Sequence, residues 1–360
     1  MSRRILMTLD AAGGVWRYTM ELGAALARRG HQLALAGAGP APTADQRAEA
    51  AELGDLSWSD EPLDWMVADR TALSNIPSWL AGLIARHEPD ILHFNLPSLA
   101  AALPQDSPPS VVVCHSCMAT WFRTVERRTI PDQLAWHALL TRRGLVKASA
   151  VVAPSRAHAE LTRAVYRTQP IQVVPNASTA PLKAPSMGNG SIVAVGRWWD
   201  KGKNGAVLAA VAARVEAPVV LIGPCEGGAG EAFRSKHAHL EHALSHEETL
   251  ARVAGASIFV SPSCYEPFGL AALEAARAGR PLLLADIPVY REIWDGAAWF
   301  FAPSDPDELA RQIRALLAQP DKRLHLGLAA QARALTFSPA MQASVMETIY
   351  EKLLAQPQGD

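Results

Sequence analysis

The stretch SIFVSPSCYEPFGLAALEAARAGRPLLLAD, residues 257–286, sets two apolar runs around a Leu/Ala-rich segment. The first run, SIFVSPS, and the last, PLLLAD, are unbroken apolar text rather than alternating apolar and polar residues. Strands of that composition are buried on both faces, as in a parallel sheet. Parallel neighbours cannot be joined by a tight turn and need a crossover, usually a helix. Leu270–Ala278 is the expected helix. The stretch therefore reads strand, helix, strand, which makes the architecture α/β.

The same alternation runs through the rest of the chain. RILMTL, HQLALAG, DILHF, SVVVCHS, AVVAPS and IQVVPN are the strand candidates of the first half. SIVAVG, PVVLIG, SIFVSPS, PLLLAD and AWFFAP are those of the second. Helices are expected between them over Val15–Arg29, Gln133–Lys147, Asn204–Val215, Leu270–Ala278 and Pro306–Ala318. The two series are separated by PNASTAPLKAPSMGNGS, residues 175–191, which has three prolines, two glycines and no periodicity. It reads as an interdomain linker. The expected division is a first domain over residues 1–176, a linker over 177–190, a second domain over 191–337 and a C-terminal helix over 338–360. That helix either caps the second domain or crosses back to the first. Two Rossmann-like, doubly wound domains in tandem place a cleft between the carboxyl ends of their strands, where such sheets bind ligands.

Composition narrows the function. The chain has 360 residues, 49% hydrophobic and 19% charged, with a formal net charge of −1. No global positive field recruits nucleic acid. No apolar run approaches the roughly 18–20 residues that span a bilayer, and MSRRILMTLDAAGG does not read as a signal peptide. The expected compartment is the cytoplasm. Cys114 and Cys117 form one C-x-x-C pair with no second pair, half a zinc site at best. They read as plain thiols.

The strand ends carry the chemistry. Pro267 suits the first position of a helix and pushes Glu266 out of the α region. The amides of Phe268, Gly269 and Leu270 are then expected at a helix mouth, where their partial positive charge suits an anion or polar hydroxyls. Gly269 leaves that backbone open to close approach. Glu274, on an otherwise Leu/Ala face, needs hydrogen-bond donors, and sugar hydroxyls fit. Upstream, SIVAVGRWWDKGKN puts Arg197 just past a strand and Lys203 six residues later. A guanidinium and an ammonium so placed read as a diphosphate clamp, with Lys201 as the alternative lysine. No D-x-D motif or His/Asp cluster with ligand spacing appears, so no metal is expected.

VGRWWDKGKN followed by SPSCYEPFGLAALEAARAGRPLL resembles the retaining GT-B glycosyltransferases of family 4. Glu266 and Glu274 match that family's E-x7-E pair. LDAAGGVWRYTMELGAALARRGH looks like its glycine loop and first helix, and VVVCHSCMATW matches its strand-end histidine. AVVAPSRAHAELT and VVPNA match the close of its first domain. The likeness spans nearly the whole chain and is weakest over residues 40–90 and 227–243. Many relatives carry the clamp lysine five residues after the arginine, where Gly202 stands here.

The resemblance implies a GT-B fold with an acceptor-side first domain and a nucleotide-sugar-binding second domain. It assigns the donor diphosphate to Arg197, Lys203, Gly269 and Leu270. The transferred sugar falls to Glu266, Pro267, Phe268 and Gly269, and the ribose to Glu274. His115 and Glu266 become the catalytic pair, and Gly13 and Gly14 form the glycine loop. Asp10 is a weaker candidate that caps the first helix in the alternative reading. The implied activity is metal-independent, retaining transfer of a hexose from a UDP- or GDP-sugar, as in polysaccharide biosynthesis. The acceptor is a glycan, a lipid-linked molecule or a small molecule. No cofactor is implied. Residues 122–147 carry six basic against two acidic residues. They read as a solvated face or as a patch for an anionic acceptor in peripheral contact with the inner face of a membrane. Two other readings stand beside this one. A GT-B sugar-nucleotide epimerase shares the fold, but the E-x7-E pair speaks against it. A catalytically silent nucleotide-sugar-binding scaffold is the other. A dehydrogenase is disfavoured because LALAGAGPAP lacks G-x-G-x-x-G, and Pro40 and Pro42 break the helix it needs.

Overall fold

Each long apolar run becomes a strand of a parallel sheet, and the interior strands are covered on both faces. The computed structural model describes residues 2–356 apart from 105, 229 and 243. It divides into two units. One takes the chain up to Ala177 together with the C-terminal segment from Pro339, and the other is Ser178–Ser338.

The first unit contains β1 (Arg4–Leu9), β2 (Gln32–Ala38), β3 (Gly54–Ser59), β4 (Ile91–Phe94), β5 (Ser110–Val113), β6 (Ala150–Ala153) and β7 (Gln172–Val173). They form one sheet in the order β3-β2-β1-β4-β5-β6-β7, with every pairing parallel. β4, β5 and β6 are buried at every position. The helix Gly14–Arg28 covers one face with Trp16, Tyr18, Met20, Leu22 and Leu26. The C-terminal helix Pro339–Ala355 joins the same core through Ala343, Met346, Ile349, Tyr350 and Leu353. Its Glu347 reaches His31 Nε2 at 2.7 Å and Arg29 Nε at 2.5 Å.

The second unit contains β8 (Ile192–Val195), β9 (Val219–Ile222), β10 (His239–Glu241), β11 (Ile258–Ser261), β12 (Leu282–Ala285) and β13 (Trp299–Phe301). Their order is β10-β9-β8-β11-β12-β13, again all parallel. The Pro/Gly-rich segment before β8 is fastened to this unit. Lys183 N donates to Arg277 O at 3.2 Å, and buried Arg280 donates to Ser186 Oγ at 3.0 Å and Ala256 O at 2.9 Å.

β3 and β10 have no counterpart among the strands expected from sequence. Both are edge strands, and only partly covered ones. An edge strand buries less, so its text (GDLSWS, HLE) carries no apolar run.

In both sheets the strand order reverses once, between β1 and β4 in the first unit and between β8 and β11 in the second. Open α/β sheets bind ligands at the carboxyl end of such a reversal, because the two crossovers leave in opposite directions and open a crevice.

Candidate active site

In the second unit, the loops that follow β8 and β11 meet at the reversal. After β8 the chain anchors itself with Trp198, whose Nε1 donates to Ile222 O at 3.1 Å. Arg197 stays at the surface, its guanidinium 5.6 Å from the Trp199 ring and 3.9 Å from the Asp200 carboxylate. Asp200 caps the short turn Lys201–Lys203 by accepting from Gly202 N at 2.8 Å. Asn204, in the left-handed region at φ 55°, donates from Nδ2 to Pro262 O at 3.1 Å and Pro303 O at 2.8 Å. The β11 loop closes on that turn when Cys264 N donates to Gly202 O at 2.9 Å. The result brings Lys203 Nζ to 2.5 Å from Glu266 Oε2, with 19% and 14% of the two side chains exposed. Lys201 is exposed. Lys203 is the lysine that pairs with Glu266.

The helix that carries Glu274 begins at Leu270, with Gly269 as its cap. That is the start expected from the Leu/Ala-rich text, and Pro267 lies outside the helix because Gly269, with a φ of 96°, turns the chain immediately before it. A Cβ there would lie 2.8 Å from Tyr290 Cε1. Glycine is required on both counts. Glu266 stands just outside the turn, with its Cγ 3.6 Å from that same Cβ position. No side chain caps this helix. Phe268 turns inward and packs against Phe337 at 5.6 Å, so only its backbone is available to a ligand. Glu274 is buried, with Oε1 3.8 Å from His246 Nε2. Beneath Gly269, buried Tyr290 bonds Ser261 Oγ at 2.5 Å. Burial and the nearby Glu266 charge raise the Tyr290 pKa, so it stays a phenol.

In the first unit the corresponding loops follow β1, β4 and β5. Gly13 caps the helix Gly14–Arg28 at φ 83°. Asp10 supports that turn by accepting from Ala12 N at 2.9 Å, and no side chain caps the helix itself. Asn95, directly after β4, donates from Nδ2 to Thr8 O at 2.6 Å and to Thr19 Oγ1 at 3.1 Å. Its Oδ1 is thereby left to accept from His115 Nε2 at 2.9 Å. Imidazole with its proton on Nε2 keeps a lone pair on Nδ1. The Tyr18 ring meets His115 edge-on at 4.4 Å. Tyr18 OH lies 3.3 Å from His93 Nε2, and His93 Nδ1 lies 2.7 Å from Tyr350 OH. Burial first, then His93 and His158, push the His115 pKa down to about 3. Burial pushes His93 down to about 3 as well. Both rings are neutral near pH 7. The flanking Cys114 and Cys117 form no disulfide; Cys114 is buried just after β5, and Cys117 Sγ lies 2.9 Å from Thr120 Oγ1.

Asn95, His93, Tyr18, Tyr350, Tyr290 and His246 were not singled out from sequence. Asn95 could have been, because it is the first polar residue after an apolar strand, the place held by Asp10, Arg197 and His115. His93, Tyr18, Tyr350 and Tyr290 sit inside mainly apolar strands or helices, where text alone marks them as core, and His246 opens a polar helix turn that reads as solvated surface. Among the described residues, no group of three or more His, Cys, Asp or Glu side chains converges to hold a metal. No helix among them is long and apolar enough to cross a membrane.

Comparison with known proteins agrees with this division. Residues 12–177 match the model described as Glycosyltransferase Family 4, and residues 195–333 match Glycosyl transferases group 1. An MMP alpha-(1->4)-mannosyltransferase of Mycolicibacterium hassiacum is 34% identical over 138 residues, which is 37% of this chain and 34% of that protein. A glycogen synthase of Mycobacterium tuberculosis is 41% identical over 92 residues, 25% of this chain and 22% of that one. The chain thus spans about a third of the first relative and about a fifth of the second. Among solved structures, sucrose-phosphate synthase from Thermosynechococcus elongatus superposes with TM-score 0.80 at 18% identity, over 98% of this chain and 99% of that one. HepE from Anabaena in complex with UDP and glucose gives 0.74 at 16% identity, over 97% and 100%. The fold is GT-B, with two Rossmann-like domains.

Proposed function

Starting from a GT-B chain with two glycosyltransferase-like domains, we propose that it moves a hexose from a UDP- or GDP-hexose to an acceptor hydroxyl. The transfer retains the anomeric configuration and needs no metal. The observation that carries this reading is the Lys203–Glu266 pair beside the uncapped helix mouth at the strand reversal of the second unit, with Arg197 exposed on the same loop as Lys203.

In this reading the donor diphosphate lies against Arg197, Lys203 and the backbone at Gly269 and Leu270. As the sugar–oxygen bond breaks, negative charge grows on the leaving diphosphate. Positive groups held at the strand reversal stabilise it. Glu266 and the backbone of Pro267, Phe268 and Gly269 hold the hexose, which becomes cationic in the transition state. Buried Glu274 accepts from the ribose hydroxyls. His115, neutral and oriented by Asn95, contributes a hydrogen-bonding edge to the reacting sugar. The backbone at Gly13 and Gly14 admits the phosphate or the acceptor.

An anionic, lipid-linked acceptor in peripheral contact with a membrane is favoured by the helix Ala135–Lys147. It exposes Leu139 and Val146 on the same side as Arg142 and Arg143. The relatives named as mannosyltransferases and the HepE complex with UDP-glucose make GDP-mannose and UDP-glucose the first donors to test. The experiment is incubation with each labelled donor, with and without acceptor, followed by separation of products. Labelled glycoside with the donor's anomeric configuration is expected. Conversion of the donor to another sugar nucleotide without acceptor would show an epimerase. A donor left intact, with no slow hydrolysis, would show a binding scaffold.

A further inference from the structure

Lys203 and Glu266 are each other's partner, yet the donor site proposed above asks each of them to hold a different part of the ligand. The ammonium and carboxylate are 2.5 Å apart and mostly covered. A diphosphate that draws Lys203 away removes the cation from a carboxylate with little water around it, and such a carboxylate is penalised. The hydroxyls of a hexose supply new donors to Glu266. A bare nucleoside diphosphate supplies none. The buried hydroxyl of Tyr290, beneath the Gly269 turn, is engaged with Ser261 at 2.5 Å. Arg197 is placed differently, since its acidic neighbour is Asp200 at 3.9 Å.

We propose that the Lys203–Glu266 pair is a specificity device. It makes the site prefer a nucleoside diphosphate that carries a hexose over the bare nucleoside diphosphate, and so favours release of the nucleotide once the sugar has left. This inference rests on the donor site proposed above.

The test is calorimetric titration with UDP, GDP and their hexose-linked forms against the wild-type chain, Lys203→Met, Glu266→Gln and the double variant. Lys203→Met is expected to weaken binding of both ligand types. Glu266→Gln frees the ammonium, and bare nucleotide should bind about three- to tenfold tighter, the range set by a partly buried ion pair. The hexose-linked form should gain less, so the ratio between the two shrinks. In the Lys203→Met background the gain from Glu266→Gln should vanish, because the pair no longer exists. A gain that persists there would reflect simple charge repulsion and overturn the inference. An unchanged or weakened nucleotide affinity in Glu266→Gln overturns it too, while the clamp stands if Lys203→Met has lost affinity. If Lys203→Met binds both ligand types normally, the donor reading itself fails. Melting curves establish that each variant is folded, and Glu266→Ala makes the same comparison if the glutamine variant is not.

Discussion

The two units share a strand order and differ in what they set at its reversal. The second unit places charge there: Arg197, Lys203, Glu266 and Glu274. Beside Asp10, which holds the turn after β1, the first unit places rings in mutual contact: His115, held by Asn95, with Tyr18, His93 and Tyr350. Their histidines show the same split. His93, His137 and His158 are buried and His31, His87 and His115 partly covered in the first unit, whereas His237, His239, His242, His246 and His325 are exposed in the second. One fold thus offers two kinds of site. A charged one can neutralise a leaving diphosphate, and a neutral one can orient hydroxyls without adding charge.

The largest effect that would break this contrast lies at Glu266. Glu266→Gln keeps the shape and removes the charge near the reacting sugar. We expect kcat to fall by about 10²–10³-fold, the scale of one preorganised electrostatic group. Glu274→Gln should act mainly on donor binding instead. Steady-state kinetics on both variants would refute the assignment if kcat stayed unchanged in the first.

A second effect concerns backbone rather than charge. Gly269→Ala would put a methyl 2.8 Å from Tyr290 at a φ of 96°. We expect a loss of about 1–3 kcal/mol in stability, read from denaturant melts of the variant and the wild type. An unchanged midpoint would mean that the helix mouth tolerates a side chain and that its shape is not fixed by glycine.

The neutral site has a signature in pH. His115 and His93 are lowered to about 3, and His158 to about 4, each first by burial. The unfolded chain takes up protons near pH 6.5 while the folded unit does not. Stability is therefore full above about pH 6.5 and falls toward pH 3–4, by up to about 1.4 kcal/mol per pH unit for each ring. Hydrogen exchange, corrected for intrinsic rates, should show the first unit losing protection between pH 7 and 5 before the second. Loss in the reverse order would contradict the buried, neutral network.

The smallest expected effect is none at all. Transfer should continue in excess EDTA, because the proposed reading gives the neutralising to Arg197, Lys203 and backbone amides. Activity abolished by chelator and restored by Mn²⁺ or Mg²⁺ would remove the reason for a charged second unit.

The contrast also explains what was legible in the sequence. The interior strands declared themselves because a strand covered on both faces must be apolar throughout. β3 and β10 did not, because an edge strand can be polar. Arg197, Lys203, Glu266 and Glu274 stood out because charge next to apolar text needs a reason. His93 and Tyr350 bond across 257 residues of sequence, and each sits in apolar surroundings. Nothing local distinguishes such residues from core. The opening of the Glu274 helix was legible as well, because the Leu/Ala-rich text begins at Leu270 and the left-handed Gly269 sets the turn before it.

The central claim is that the loops after β8 and β11 hold a nucleotide diphosphate. Its most direct test is calorimetric binding of UDP- and GDP-hexoses to the wild-type chain and to Arg197→Ala. The account predicts that one donor binds and that the variant loses about 1.5–3 kcal/mol, roughly ten- to a hundredfold in affinity, with an unchanged melting curve in the absence of donor. Equal affinity in the two proteins would show that Arg197 is a surface charge and that the diphosphate lies elsewhere.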